Sequence, residues 1–170
     1  MRTPNRVTGL VVRDGKVLLI HRFRNDSEFW IFPGGTVEGA EGPDTSINRV
    51  MLDQTGCWLV SNLHLFDEFD EHAFTWHYYF CELSPGEMKF GGPEAEQQSP
   101  TNRFLLEWVD LDQLHNLNLY PLPQRLVEVI RTNTGSMGGM AHSEIRVDTI
   151  LENRVESKTE NRVGPIPATA

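Results

Sequence analysis

Apolar and polar positions fall into short blocks over the first third of the chain, each bounded by turn-forming residues. Val7 to Arg13 and Lys16 to Arg22 are β-rich runs joined by Asp14-Gly15, a pair that favours the two-residue turn of a hairpin. The second run contains Val17-Leu18-Leu19-Ile20, an unbroken apolar stretch that predicts a strand covered on both faces. A short strand is expected over Phe29 to Phe32. Pro43 then suits the first turn of a helix, Asp44 sits near its positive end, and Thr55-Gly56 supplies a left-handed stop. Within that helix Ile47, Val50, Met51 and the stem of Gln54 recur at helical spacing, the stripe of a helix packed on a core.

Trp58 to Phe66 and Phe74 to Leu83 predict two further strands around an acidic connection, Asp67 to Glu71. On the second, Phe74, Trp76, Tyr78 and Phe80 share one face, while Thr75, His77, Tyr79 and Cys81 share the other. Aromatic rings on such a strand serve a core or stack on a nucleobase. Ser84 to Asn102 is rich in Pro and Gly and is expected to form a long loop. A strand follows over Phe104 to Val109, with Asp110 capping a short helix through Leu114. From Pro121 the spacing of Leu122, Leu126, Val129 and Ile130 predicts a helix that closes one face of a sheet. Strands flanked by the Pro43 and Pro121 helices make an α/β fold.

Size, charge and cysteine content narrow the function classes. The 170 residues suit one domain over 1–135 and a polar tail over 136–170, where Glu-Asn-Arg-Val occurs at 152–155 and again at 160–163. The tail lacks a sustained period and is expected to be weakly ordered, or to dock on the domain or on a second copy in a homodimer. A net charge of −9 excludes broad binding of nucleic-acid polymers or acidic membranes, which needs a basic surface. A small anionic nucleotide remains compatible with local arginines or a metal. Cys57 and Cys81 lack metal-site spacing and are expected to be buried thiols. No stretch has the length and apolarity of a membrane span, so a reducing cytoplasm is the expected compartment.

The chemistry concentrates in residues 32–57, FPGGTVEGAEGPDTSINRVMLDQTGC. Gly34 and Gly35 open a turn where the backbone can approach a partner closely. The stretch resembles a Nudix box: Gly, five residues, Glu, seven residues, then Arg-Glu-aliphatic-any-Glu-Glu-any-Gly-aliphatic. Gly35, Glu41, Arg49, Met51, Gly56 and Cys57 fall in register, accompanied by Pro33, Gly34, Val37 and Glu38. Three positions depart from the pattern. Val50 stands for the Glu after Arg, and Asp53 with Gln54 stands for the Glu pair.

The resemblance implies a Nudix-type α/β/α sandwich with a mixed β-sheet and a Mg²⁺- or Mn²⁺-dependent attack of water on a nucleoside diphosphate linked to another moiety. Such hard cations take oxygen ligands, so losing carboxylates at 50 and 54 implies a weakly held metal and weakened activity. Glu41, Asp53 and Glu96 are implied in catalysis, and Glu38, Asp53, Gln54 and Glu94 in holding metal. Arg22, Arg24, Gly34 and Gly35 are implied in substrate binding, the arginines by bidentate grip on phosphate. His21 is assigned to packing or capping. A non-catalytic nucleotide-binding or sensor domain is the other reading of the same residues.

Overall fold

The computed structural model describes residues 4–135. The tail expected over 136–170 lies outside the described residues. The strands are β1 (Asn5–Leu10), β2 (Val12–Arg13), β3 (Lys16–Arg24), β4 (Ser27–Ile31), β5 (Gly34–Thr36), β6 (Leu59–Phe69), β7 (Thr75–Leu83) and β8 (Asn102–Asp110). The helices are α1 (Pro43–Thr55), α2 (Gly92–Glu96) and α3 (Gln124–Gly135), with a 3-10 helix at Leu111–Asn116.

One sheet runs β5-β1-β7-β6 and is mixed, β1 lying parallel to β7 and the other pairs antiparallel. A second, antiparallel sheet is built on β3, which pairs with β2, β4 and β8. Helix α1 covers one side, where Ile47, Val50 and Met51 meet Val7, Val11, Leu18, Tyr79 and Cys81. Helix α3 and the 3-10 helix cover the other, where Leu126, Val129, Ile130, Leu111 and Leu114 meet Leu10, Val17, Leu19, Phe66 and Tyr78. The α/β/α sandwich follows from this division, with β3 buried on both faces as its apolar run requires.

The N-terminal hairpin is shorter than its β-rich runs suggest. Asp14 and Gly15 turn with φ of 51° and 73°, as a two-residue hairpin needs, but only Val12 and Arg13 pair with β3. Residues 5–10 belong to the other sheet, because Val7 and Leu10 are apolar on opposite faces and both find a core there. The chain crosses at Val11, between β1 and β2, while Gly9 inside β1 makes room for α1: a Cβ there would lie 2.5 Å from Met51 Cε.

Helix α1 has the ends its sequence specifies. Gly42 precedes Pro43 at the N-terminus, and Gly56, at φ 71°, returns its N–H to Leu52 O. Four other expectations need correction. Gly34 and Gly35 do not open a turn; they belong to β5, paired with Thr8 and Val7. Asp67, Glu68 and Phe69 are not loop residues; they extend β6, paired with His77, Trp76 and Thr75. The connection reduces to a turn in which Asp70 Oδ1 accepts the N–H groups of His72 and Phe74. The segment after Ser84 contains the short helix α2. Asp110 does not cap: it ends β8 opposite Lys16, and the two side chains pair at 2.8 Å.

Candidate functional site

Strand β5 and helix α1 meet through Gln54. Its Oε1 accepts the Gly34 N–H at 2.9 Å and its Nε2 donates to Gly34 O at 2.8 Å, closing a two-point clasp on one backbone residue. The side chain is 4% exposed. Val50, at 3%, fills the space beside Gly35, where a Cβ would sit 3.0 Å from Val50 Cγ2. Asp53, the next residue round this face, lies under α2: a Cβ on Gly92 would approach Asp53 Cβ to 2.9 Å, and one on Gly91 would approach Asp53 O to 2.9 Å. Glu94, on that short helix, comes within 3.5 Å of Gln54 Nε2. Glu96 ends α2 and is exposed.

Glu38 and Glu41 form a separate group around Arg49. The Arg49 guanidinium donates to Glu41 at 2.9–3.2 Å and to Thr36 O at 3.1 Å, and lies 3.5 Å from Glu38. Ser46 Oγ donates to Glu41 at 2.7 Å. The Arg49 and Ser46 hydrogen bonds hold the Glu41 carboxyl down at about 2, so it is an anion throughout the neutral range. Both its oxygens are engaged, in a tie between the Gly39–Gly42 bend and the middle of α1.

Gly34 and Gly35 also line a cleft of about 300 Å³. Arg6, Arg22, Asp70 and His72 line it with them, together with Phe74, Trp76 and Tyr120. The register explains the convergence. Arg6 stands between Thr36 on β5 and Trp76 on β7, while Arg22 on β3 lies between Phe29 and Phe104. Each guanidinium rests on a ring, Arg6 over Trp76 at 4.9 Å and Arg22 over Phe104 at 4.0 Å. Trp76 is itself fixed by its Nε1–H donating to Asp70 Oδ2 at 2.8 Å.

Both arginines keep a buried Nε without a partner among the described residues. Burial lowers the pKa of each, with the charge of Arg24 adding to the effect at Arg22. Asp70 and Glu94 offset it at Arg6, and Glu94 offsets it at Arg22. Two guanidiniums lining one cavity are what an anion would pair with. Arg24 is exposed at the end of β3 and does not line the cleft.

A family model, that of the NUDIX domain, matches residues 3–132. The chain belongs to the Nudix family. It is 24% identical over 135 residues, 79% of this chain and 84% of the other, to the uncharacterised Nudix hydrolase YvcI of Bacillus subtilis. The fold is also similar to MutT in a structural study of the enzymes from Aliivibrio salmonicida and Vibrio cholerae, with TM-score 0.59, 15% identity, and 76% and 97% of the two chains covered. The NUDIX domain of Shewanella oneidensis NrtR, solved with ADP ribose, gives TM-score 0.56 at 16% identity, covering 75% of this chain and 86% of that one. Nudix proteins are hydrolases, and pyrophosphohydrolase-type activity is what membership leads one to expect.

The family generally uses a divalent metal such as Mg²⁺, and the box of this Nudix chain does not build a cage for one. Val50 has no donor atom, the Gln54 carbonyl is committed to Gly34, and Glu38 and Glu41 are committed to Arg49. Asp53 and Glu94 are the carboxylates left on this side. Of the residues named from sequence, the fold brings Gly34, Gly35 and Arg22 to the cleft, with Gln54 and Glu94 beside it. Arg6 was missed, since nothing in its local spacing shows that β1 will lie between β5 and β7. His21 packs as expected, stacked on Trp30 at 4.0 Å between Glu28 and Glu107.

Proposed function

We propose that this Nudix domain binds a nucleoside diphosphate linked to a second moiety, with the diphosphate between Arg6 and Arg22, and hydrolyses it slowly. The observation that carries this reading is the pair of guanidiniums, Arg6 and Arg22, that line the same cleft as Gly34 and Gly35. Planar guanidiniums grip diphosphate oxygens in bidentate fashion. Trp76 or Phe74 supplies a ring face for a base. The bound ADP ribose of the NrtR domain belongs to this ligand class and supports the choice.

Glu94 is assigned as the group that draws a proton from attacking water, with Asp53 behind it on α1 and Glu96 turned to solvent. A catalytic base contributes about 10²–10⁴ in rate, and its charge acts at a distance on both arginines. The second reading, a nucleotide binder without turnover, is favoured by the sealed face of Val50 and the clasped amide of Gln54.

Calorimetric titration with ADP-ribose and with dinucleoside polyphosphates, run beside phosphate-release assays with Mg²⁺ or Mn²⁺, separates the two. Arg6→Ala and Arg22→Ala are each expected to weaken binding by about 10–100-fold, the worth of a charge-assisted hydrogen bond. Binding that survives both substitutions would remove the cleft assignment. Binding without turnover in either metal would replace hydrolysis by the sensor reading.

A further inference from the structure

Away from the cleft, His64, Asp67 and His77 bring a nitrogen, an oxygen and a nitrogen within 4.8 Å of one another, and no step of the proposed reaction uses them. We propose that these three side chains form a binding site for a borderline divalent transition cation, of which Zn²⁺ and Co²⁺ are the working examples.

The backbone is arranged to assemble them. Residues three apart on a regular strand point to opposite faces, so His64 and Asp67 should not meet. The pairing of β6 with β7 shifts register between His64 and Phe66, and this bulge carries His64 and Asp67 to the same face. His77 then lies directly across from Asp67 in the ladder. Asp67 Oδ1 is 2.7 Å from His64 Nε2 and 2.7 Å from His77 Nδ1.

The donor chemistry selects the ion. Two imidazoles with one carboxylate suit zinc, cobalt and their neighbours, and leave a position open for water. Magnesium prefers an all-oxygen octahedron, so it should be refused. His77 also has an outer partner: Asn5 Oδ1 lies 3.4 Å from Nε2, so an N–H there would leave Nδ1 to ligate once an ion replaces the proton it shares with Asp67. The ring edge of His64 packs on Tyr79, 5.3 Å between centroids. Side-chain exposures of 34% for His64, 44% for Asp67 and 14% for His77 describe a site anchored on its inner side and open to solvent on the other. A tetrahedral ion with bonds near 2.0–2.2 Å spaces its ligands roughly 3.4 Å apart, so the 2.7 Å contacts need open by only about 0.7 Å.

The test uses full-length protein without an affinity tag, titrated with Zn²⁺ by calorimetry and with Co²⁺ by visible absorption. A single site of micromolar affinity with a Co²⁺ d–d spectrum is expected, unchanged by excess Mg²⁺ and retained in Glu94→Gln. Its survival in Glu94→Gln keeps this result separate from the nucleotide cleft. His64→Gln, whose side chain is the more exposed histidine, and Asp67→Asn should each lower affinity at least tenfold, and Asn5→Ala about 10–100-fold. No Zn²⁺ binding below millimolar concentration would overturn the proposal, leaving an ion-paired cluster. So would an unchanged Co²⁺ spectrum in His64→Gln.

Discussion

At the scale of single residues, what distinguishes this Nudix domain is that its box helix meets β5 with an amide. Gln54 both donates to and accepts from Gly34, which a carboxylate cannot do. Gln54→Glu would leave Gly34 O without a donor and put a second acid beside Glu94. We expect this variant to lose about 1–3 kcal/mol at neutral pH, read from urea unfolding. Burial and the nearby Glu94 raise the folded pKa of the new carboxyl above its unfolded value. The native state then binds the extra proton, so stability recovers as pH falls through that raised value and is lost as pH rises through it. A variant as stable as the parent at neutral pH would show that the clasp contributes nothing. The stripe of Ile47, Val50 and Met51 was legible from helical spacing; the clasp was not, because Gly34 is twenty residues away in sequence.

At the scale of elements, α2 matters more than its length suggests. Five residues cannot sustain a helix alone, and this one is held because Gly91 and Gly92 allow the backbone to settle on Asp53. Gly92 also has φ of 75°. Gly92→Ala would therefore combine left-handed strain with a Cβ 2.9 Å from Asp53 Cβ, for a loss of roughly 1–3 kcal/mol. Amide exchange should accelerate over residues 92–96 while the middle of α1 stays protected. If exchange there is unchanged, α2 is not seated by its glycines. The Pro- and Gly-rich composition of this segment announced irregular backbone, but the helix depends on a contact with α1 that no local pattern encodes. The same limit hid the bulge in β6, since an alternating strand and a bulged one differ only in how the neighbour pairs.

At the scale of the whole molecule, both cores draw on the same strands. β1 sends Val7 to one and Leu10 to the other, β3 sends Leu18 and Leu19 apart, and β7 does the same with Tyr79 and Tyr78. Losing either core therefore strips one face from every central strand. Urea unfolding of the domain should be a single transition, with tryptophan fluorescence and far-ultraviolet circular dichroism superimposable. Resolved transitions would mean that the α3 side unfolds separately. The sequence alone determined the main strands and the helices after Pro43 and Pro121, the ends of α1, the family and the depletion of the box, because periodicity, caps and a fixed-spacing motif are local properties. The tertiary structure decided the pairing of Gly34 and Gly35 in β5, the crossing of the chain between sheets at Val11, the convergence of Arg6 with Arg22 on one cleft, and the meeting of His64, Asp67 and His77. Each of these depends on which strands lie side by side and in what register, and that is settled by packing between segments distant in sequence.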